Sequence, residues 1–172
     1  MGGVIMTSCV KEEFYNNGAI KERYYYLGEQ LHRNDGPAEE WFYEDGTLNR
    51  LGWYQNGSLD REDGPAKEGF YKSGVLSWQG WYQSGRLHRE DGPAYEGFRE
   101  NGVIECREWF WHGELHREDG PAEIHYDKNG KINTAAYYLA GERVSKDEHR
   151  RRMTLALRKL AANAASNLGV PI

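Results

Sequence analysis

The sequence predicts a mainly β protein, a thin antiparallel sheet of tandem 28-residue hairpin units followed by one C-terminal α-helix. Three observations carry that reading. The tetrapeptide Asp-Gly-Pro-Ala stands at 35–38, 63–66, 91–94 and 119–122, each copy 28 residues after the last. Aromatic-rich runs end in Gly-x-Leu or Gly-x-Ile, with glycines at 18, 46, 57, 74, 85, 102, 113, 130 and 141 that step alternately by 11 and 17 from Gly46 onward. After Ser145 the pattern stops and good helix formers take over.

Taken in order, residues 1–9 are a lead-in and residues 10–144 are the repeat array. Phe14-Tyr-Asn-Asn-Gly-Ala-Ile20 is a leading half-unit, four full units run from about 25 to 136, and Tyr137 to Val144 is a trailing half-unit, so the ends are imperfect as capping requires. Asp45-Gly46, Asn56-Gly57, Ser73-Gly74, Ser84-Gly85, Asn101-Gly102 and Asn129-Gly130 are hairpin signals, because glycine supplies the positive φ of a tight turn. Gly28 and Gly141 are followed by two residues before the apolar position, which predicts a bulge or longer turn at each end. In Asp-Gly-Pro-Ala the Asp is expected to close an Asx-turn, the Gly to take an unusual φ and the Pro to start the next strand. Residues 145–168 are the helix, opened by the capping box Ser145-Lys-Asp-Glu148, and 169–172 are a tail. A step of about 100° per residue places Met153, Leu157, Leu160, Ala164 and Leu168 on one face and Arg151, Arg158 and Lys159 opposite. Leu155, on the polar side, predicts a second contact.

With 38% apolar and 28% charged residues, the 172-residue chain is too polar for a large layered core. Six Trp and twelve Tyr compensate, since large rings bury much area and tolerate one wet edge. Cys9 and Cys106 are far apart and lie in no metal-binding pattern, so inert thiols in a reducing compartment are expected, with neither disulfide, metal site nor cofactor. The first residues carry no signal-peptide or myristoylation pattern, and no apolar run is long enough to cross a membrane, so the expectation is a soluble cytoplasmic protein. Charge divides unevenly: residues 145–172 hold six Lys or Arg against two acids (net +4), leaving 16 against 25 (net −9) in residues 1–144.

Tokens such as Trp53-Tyr-Gln-Asn-Gly-Ser-Leu59 and Trp81-Tyr-Gln-Ser-Gly-Arg-Leu87 resemble MORN-type repeats over about residues 10–144. The resemblance implies an elongated, twisted, single-layer sheet with a scaffold or binding role and no active site. The added Leu-His-Arg-x-Asp-Gly-Pro-Ala segment departs from the plain pattern and looks like a subtype of bacterial antitoxin-like proteins, bacteriophages and large DNA viruses. Host cytoplasm is the location implied if the chain is phage-encoded.

Leu-His-Arg-Glu-Asp at 87–91 and 115–119 holds residues suited to acid–base work, yet it recurs in every unit, whereas a catalytic site is one asymmetric cluster. His is replaced by Asp60 in the second unit while Arg61 and Asp63 stay, so a structural role is expected. Arg33, Asp35, Arg61, Asp63, Arg89, Asp91, Arg117 and Asp119 are read as a turn motif, with the arginines laddered against Glu40, Glu68, Glu96 and Glu123. Trp53, Trp81 and Trp109, with Tyr54 and Tyr82, form a column that is either the array's own core or an adhesive strip. His149, Arg150, Arg151, Arg152 and Arg158 make the helix basic, and it either folds back as a cap, its Met-Leu face on aromatics, or docks on a partner or a second copy.

The function expected is therefore non-enzymatic binding of another protein, in the manner of an antitoxin, immunity protein or phage counter-defence factor such as an anti-CRISPR. The partner would be a toxin, a nuclease or a defence-complex subunit. A nucleic-acid-related role, through the basic helix or through acidic mimicry, is the alternative, and a membrane-docking scaffold is a further one. The acidic array disfavours direct binding to phosphates or anionic membranes.

Overall fold

The computed structural model describes residues 7–167. Residues 1–6 of the lead-in, Leu168 of the apolar helix face and the tail 169–172 lie outside the described residues. Strands β1 (Ser8–Phe14) and β2 (Ile20–Leu27) form a leading hairpin, and β3 (Gln30–Leu31) folds back on the end of β2. In the next stretch β4 (Glu39–Phe42) and β5 (Leu48–Gly52) pair in the main sheet, while β6 (Tyr54–Gln55) and β7 (Ser58–Leu59) make a short hairpin beside it. The pattern returns in β8 (Lys67–Phe70), β9 (Leu76–Gly80), β10 (Tyr82–Gln83) and β11 (Arg86–Leu87). It returns again in β12 (Tyr95–Phe98), β13 (Ile104–Glu108), β14 (Phe110–Trp111) and β15 (Glu114–Leu115). Finally β16 (Glu123–Tyr126) pairs with β17 (Ile132–Leu139), β18 (Glu142–Val144) pairs with the end of β17, and helix α1 (Lys146–Asn167) follows.

The main sheet is one antiparallel meander in the order β1-β2-β4-β5-β8-β9-β12-β13-β16-β17-β18. Two kinds of turn generate it, and they define two rims. On the first rim the wide turns, such as Tyr43 to Thr47, close with Tyr43 N–H to Thr47 O at 2.8 Å and put Gly46 at φ +84°. Asp45 Oδ1 accepts from Thr47 N there, and the register slips by one residue between Trp41 and Phe42, a β-bulge. On the second rim the two-residue turns at Asn56-Gly57, Ser84-Gly85, His112-Gly113 and Ala140-Gly141 take positive φ at both positions, as in Asn56 (+48°) and Gly57 (+82°), the twist that suits a tight hairpin. The expected irregular end turns are absent. Gly28 occupies the first rather than the second turn position, with Leu27 opposite Gln30, and Gly141 sits in an ordinary two-residue turn whose hairpin is one pair longer.

Ala38, Ala66, Ala94 and Ala122 are fully buried at 0% exposure, so the centre of the fold runs through the last residue of each Asp-Gly-Pro-Ala. Each alanine accepts a backbone bond from the preceding aromatic residue, and Ala38 and Ala122 also donate one, as when Ala38 donates to Gly52 O and accepts from Tyr25 N, both at 2.8 Å. Among the described residues no large side chain is fully buried. That is the consequence of a sheet that buries itself by stacking small residues and half-covered rings along its length.

Candidate interaction surfaces

The second rim carries the Leu-His-Arg-x-Asp-Gly-Pro-Ala loops, and its geometry is set by arginine. Arg33, Arg61, Arg89 and Arg117 donate through Nε to Asp35, Asp63, Asp91 and Asp119 at 2.9, 2.8, 2.7 and 2.6 Å. A second nitrogen of each reaches the carbonyl of Pro37, Pro65, Pro93 or Pro121. The guanidinium carbon lies about 4 Å over the ring of Tyr25, Trp53, Trp81 or Trp109. One face of each indole in the aromatic column is therefore covered by its own unit. The turn glycines are needed for this packing and not for φ, which is not positive at Gly36, Gly64, Gly92 or Gly120. A Cβ at Gly36 would stand 2.7 Å from Arg33 Cζ. The Asp likewise meets its arginine instead of closing an Asx-turn on itself, and the guanidinium holds each of the four carboxyls below the usual range. The predicted Arg–Glu ladder is secondary, with Glu40 and Glu68 at 3.8 and 3.9 Å from Arg33 and Arg61, and Glu96 bound instead to Arg107 at 2.9 Å.

The histidines have a clear local task. His32, His88 and His116 accept through Nδ1 from the backbone N–H of Asn56, His112 and Ala140, the strained first residues of the following tight turns, at 3.1, 3.1 and 3.0 Å. Where the second unit has Asp60, its carboxylate accepts from Ser84 N at 3.0 Å. The position requires an acceptor, and either side chain supplies one. The same step is tied by a backbone bond from the turn glycine, such as Gly85 N to Leu59 O at 2.8 Å.

Between successive loops lie two open grooves. One, of about 460 Å³, is flanked by Glu62, Asp63, Trp81, Tyr82, Glu90 and Asp91. The other, of about 940 Å³, is flanked by Glu90, Trp109, Trp111, Glu114, Glu118 and Asp119. Asp35, Asp63, Asp91 and Asp119 have side chains 80–85% exposed, and Glu62, Glu90 and Glu118 beside them are exposed too, so carboxylates stand in a row along this rim. Glu62, Glu90 and Glu118 stand outside the turn motif read from the sequence. Their recurrence immediately before the turn Asp was the available signal. Trp111, 43% exposed, packs against His88 and His112, which stack at 4.5 Å, so one aromatic cluster interrupts the repeat.

Helix α1 is capped as expected, with Glu148 N–H bound to Ser145 Oγ at 3.1 Å. Its first turns meet the array: His149 is buried, hydrogen-bonds Arg117 O at 2.8 Å and packs on Tyr137, while Arg152 binds Glu142 and Glu148. On the predicted apolar face, Leu157 and Leu160 do not fold back on aromatics, whereas Met153 is half-buried. Leu157 and Leu160 are 67% and 65% exposed, and Leu155 is 54% exposed. Arg150 and Arg151 pair within the helix with Asp147 and Glu148, and Arg158 is exposed.

One non-repeated group of ionisable residues lies on the main sheet, where Cys106 faces His125 and Glu108 faces Glu123 across β13 and β16. His125 Nε2 is 2.9 Å from Glu123 Oε1. Burial, helped by Glu108, pushes the Cys106 thiol up to about 11, a poor nucleophile at neutral pH. Burial also raises the Glu108 carboxyl above its ordinary value, and Glu123 opposite adds to the shift. Among the described residues no group of three or more His, Cys, Asp or Glu is arranged to hold a metal ion. No described helix is long and apolar enough to cross a membrane. No protein-family model, curated protein or solved structure matches the chain.

Proposed function

We propose that this chain is a non-enzymatic repeat module that binds another protein along its loop rim. The observation that supports this most is the row Glu62-Asp63, Glu90-Asp91 and Glu118-Asp119, exposed on a rim that arginine, indole and alanine hold stiff, with grooves between the loops. A repeated line of carboxylates on a preorganised edge fits a basic surface, steers it into contact and discriminates against acidic partners. The MORN-type resemblance adds the inhibitor role: an antitoxin, immunity or phage counter-defence protein, an anti-CRISPR included, whose partner is a toxin, nuclease or defence-complex subunit. A nucleic-acid-binding groove is the basic surface such an acidic edge would mimic its way into.

Direct nucleic-acid binding by α1 draws less support, because Arg150, Arg151 and Arg152 are already matched by Asp147, Glu148 and Glu142. Membrane docking meets repulsion between the acidic rim and anionic headgroups. An enzymatic role would need a cluster unlike the repeated loops, and the candidate on the main sheet centres on a thiol with its proton firmly held. Co-purification of the full chain from nuclease-treated extract tests the reading. A stoichiometric protein partner is expected, released near 0.5 M salt where the screening length is roughly 4 Å. Recovery of nucleic acid alone, or of no partner, would overturn it.

A further inference from the structure

The outer edge of β1 is the most open feature of the sheet. All seven residues of Ser8–Phe14 are exposed, Val10 at 54% and Phe14 at 56%, and β1 ends the strand order with no described element beyond it. Its backbone parity follows from the register. Tyr25 N–H bonds Ala38 O on the β4 side, so the even residues of β2 face β1, and Lys11, paired with Tyr24, points its N–H and C=O inward. Gly28 N–H bonds Thr7 O and Tyr15 N–H bonds Ala19 O, which extends the same parity to both ends. The N–H and C=O groups of Ser8, Val10, Glu12 and Phe14 therefore point outward, and no strand among the described residues receives them. The register slip at this hairpin skips Lys21, in β2, and leaves β1 itself regular.

We propose that this edge pairs with the same edge of a second copy, antiparallel about a two-fold axis through Glu12, to give a closed homodimer with one sheet continuous across both chains. In that register Val10 lies opposite Phe14 and exchanges backbone hydrogen bonds with it, and both side chains are apolar and exposed. Lys11 lies opposite Glu13 on the other face, in the closer non-hydrogen-bonded pairing, and symmetry repeats the ion pair. Glu12 meets Glu12, but each carboxylate is already held by Arg23 Nε at 2.7 Å. Moving the register by two residues would place Lys11 against Lys11, so the charges select the register. Edge strands that avoid pairing carry charges that repel a copy of themselves; these attract one. The opposite end of the array differs: its edge, the first half of β17, reads Ile132-Asn-Thr-Ala-Ala136 and has no charge to set a register.

Sedimentation equilibrium of the full chain tests the pairing. At about 100 µM, where a micromolar association is saturated, the wild type is expected at twice the 19.9 kDa chain mass. Val10→Pro removes an outward N–H and spares every β1–β2 bond, so it should give a folded monomer. Lys11→Glu and Glu13→Lys should each weaken self-association at least about tenfold through like-charge pairs, whereas their equimolar mixture should recover a dimer containing one of each. This swap decides the matter even if Val10→Pro fails to fold. A Leu157→Glu, Leu160→Glu double variant should still dimerise. Four results would each overturn the proposal: a monomeric wild type at about 1 mM, a dimer lost only in the helix variant, no recovery on mixing, or a mass that grows past the dimer through β1 meeting β17 of the next copy.

Discussion

The two rims of the sheet solve the same problem, joining one unit to the next, with different strength. On the wide-turn rim side chains span the step: Tyr15, Tyr43 and Tyr71 donate their hydroxyls to Phe42, Phe70 and Phe98 O at 2.9, 2.9 and 2.8 Å, and Arg99 takes over with Tyr126 O at 2.9 Å, while exposed contacts from Asn17 to Glu44 O and from Lys72 to Asp45 sit beside the first two. On the loop rim each step combines a backbone bond from the turn glycine with a His or Asp acceptor, and inside each unit an arginine is clamped between carboxylate, carbonyl and aromatic ring. The redundancy sits where the loops are longest and the exposed carboxylates stand. A binding edge made of loops must be held still before it can be selective, and the loop rim is the side built that way.

Substitutions along one unit should break this asymmetry in graded steps. Ala94→Leu, at a fully buried site on the loop side, should cost about 3 kcal/mol through overpacking, read as a lowered urea midpoint. Arg89→Ala removes two hydrogen bonds and the contact with Trp81 and should cost about 2 kcal/mol, with only partial rescue by Lys, which lacks the planar fork. Tyr71→Phe on the wide-turn rim loses one hydrogen bond and should cost about 1 kcal/mol in the same assay. If Tyr71→Phe proved the more damaging, the ranking of the rims would be reversed.

The smallest effect is a pH dependence. Burial and the nearby His112 hold His88 below its ordinary value of 6.5, against an opposing pull from Glu90, so the folded state favours the neutral ring that accepts from His112 N. The unfolded chain then binds the proton more readily than the folded one. Stability is complete above 6.5 and declines as pH falls from there toward the folded value. His88→Asp, copying Asp60 of the preceding unit, keeps an acceptor and should flatten that part of a thermal-midpoint profile against pH. An unchanged profile would show that the ring's protonation does not matter to the joint.

Much of this architecture is legible in the residues because its turns demand them. Asn56-Gly57 and Asp45-Gly46 announce hairpins through the φ values only such residues adopt readily, and Ser145 with Glu148 announces the helix. The substitution of Asp60 for histidine shows that the imidazole is dispensable, while the reason, a turn N–H 24 residues further on, depends on how units stack. Ala38 and its equivalents form the centre, yet alanine carries little hydrophobic signal beside six tryptophans, so the eye goes to the rings. Gly64 looks like a φ-driven turn glycine because close approach of Arg61 leaves no mark in the sequence. Arg61 could reach Asp63 or Glu68 equally well on spacing alone, and only the folded loop chooses the aspartate.

The surface proposed for the partner is tested most directly by comparing two variants in one co-purification. One reverses the loop rim (Glu62→Lys, Glu90→Lys, Glu118→Lys), and the other blocks the helix face (Leu157→Glu, Leu160→Glu). The loop-rim reading predicts that the partner recovered with the wild type is lost from the first variant and kept by the second. Retention by the charge-reversed rim, with loss from the helix variant, would contradict it.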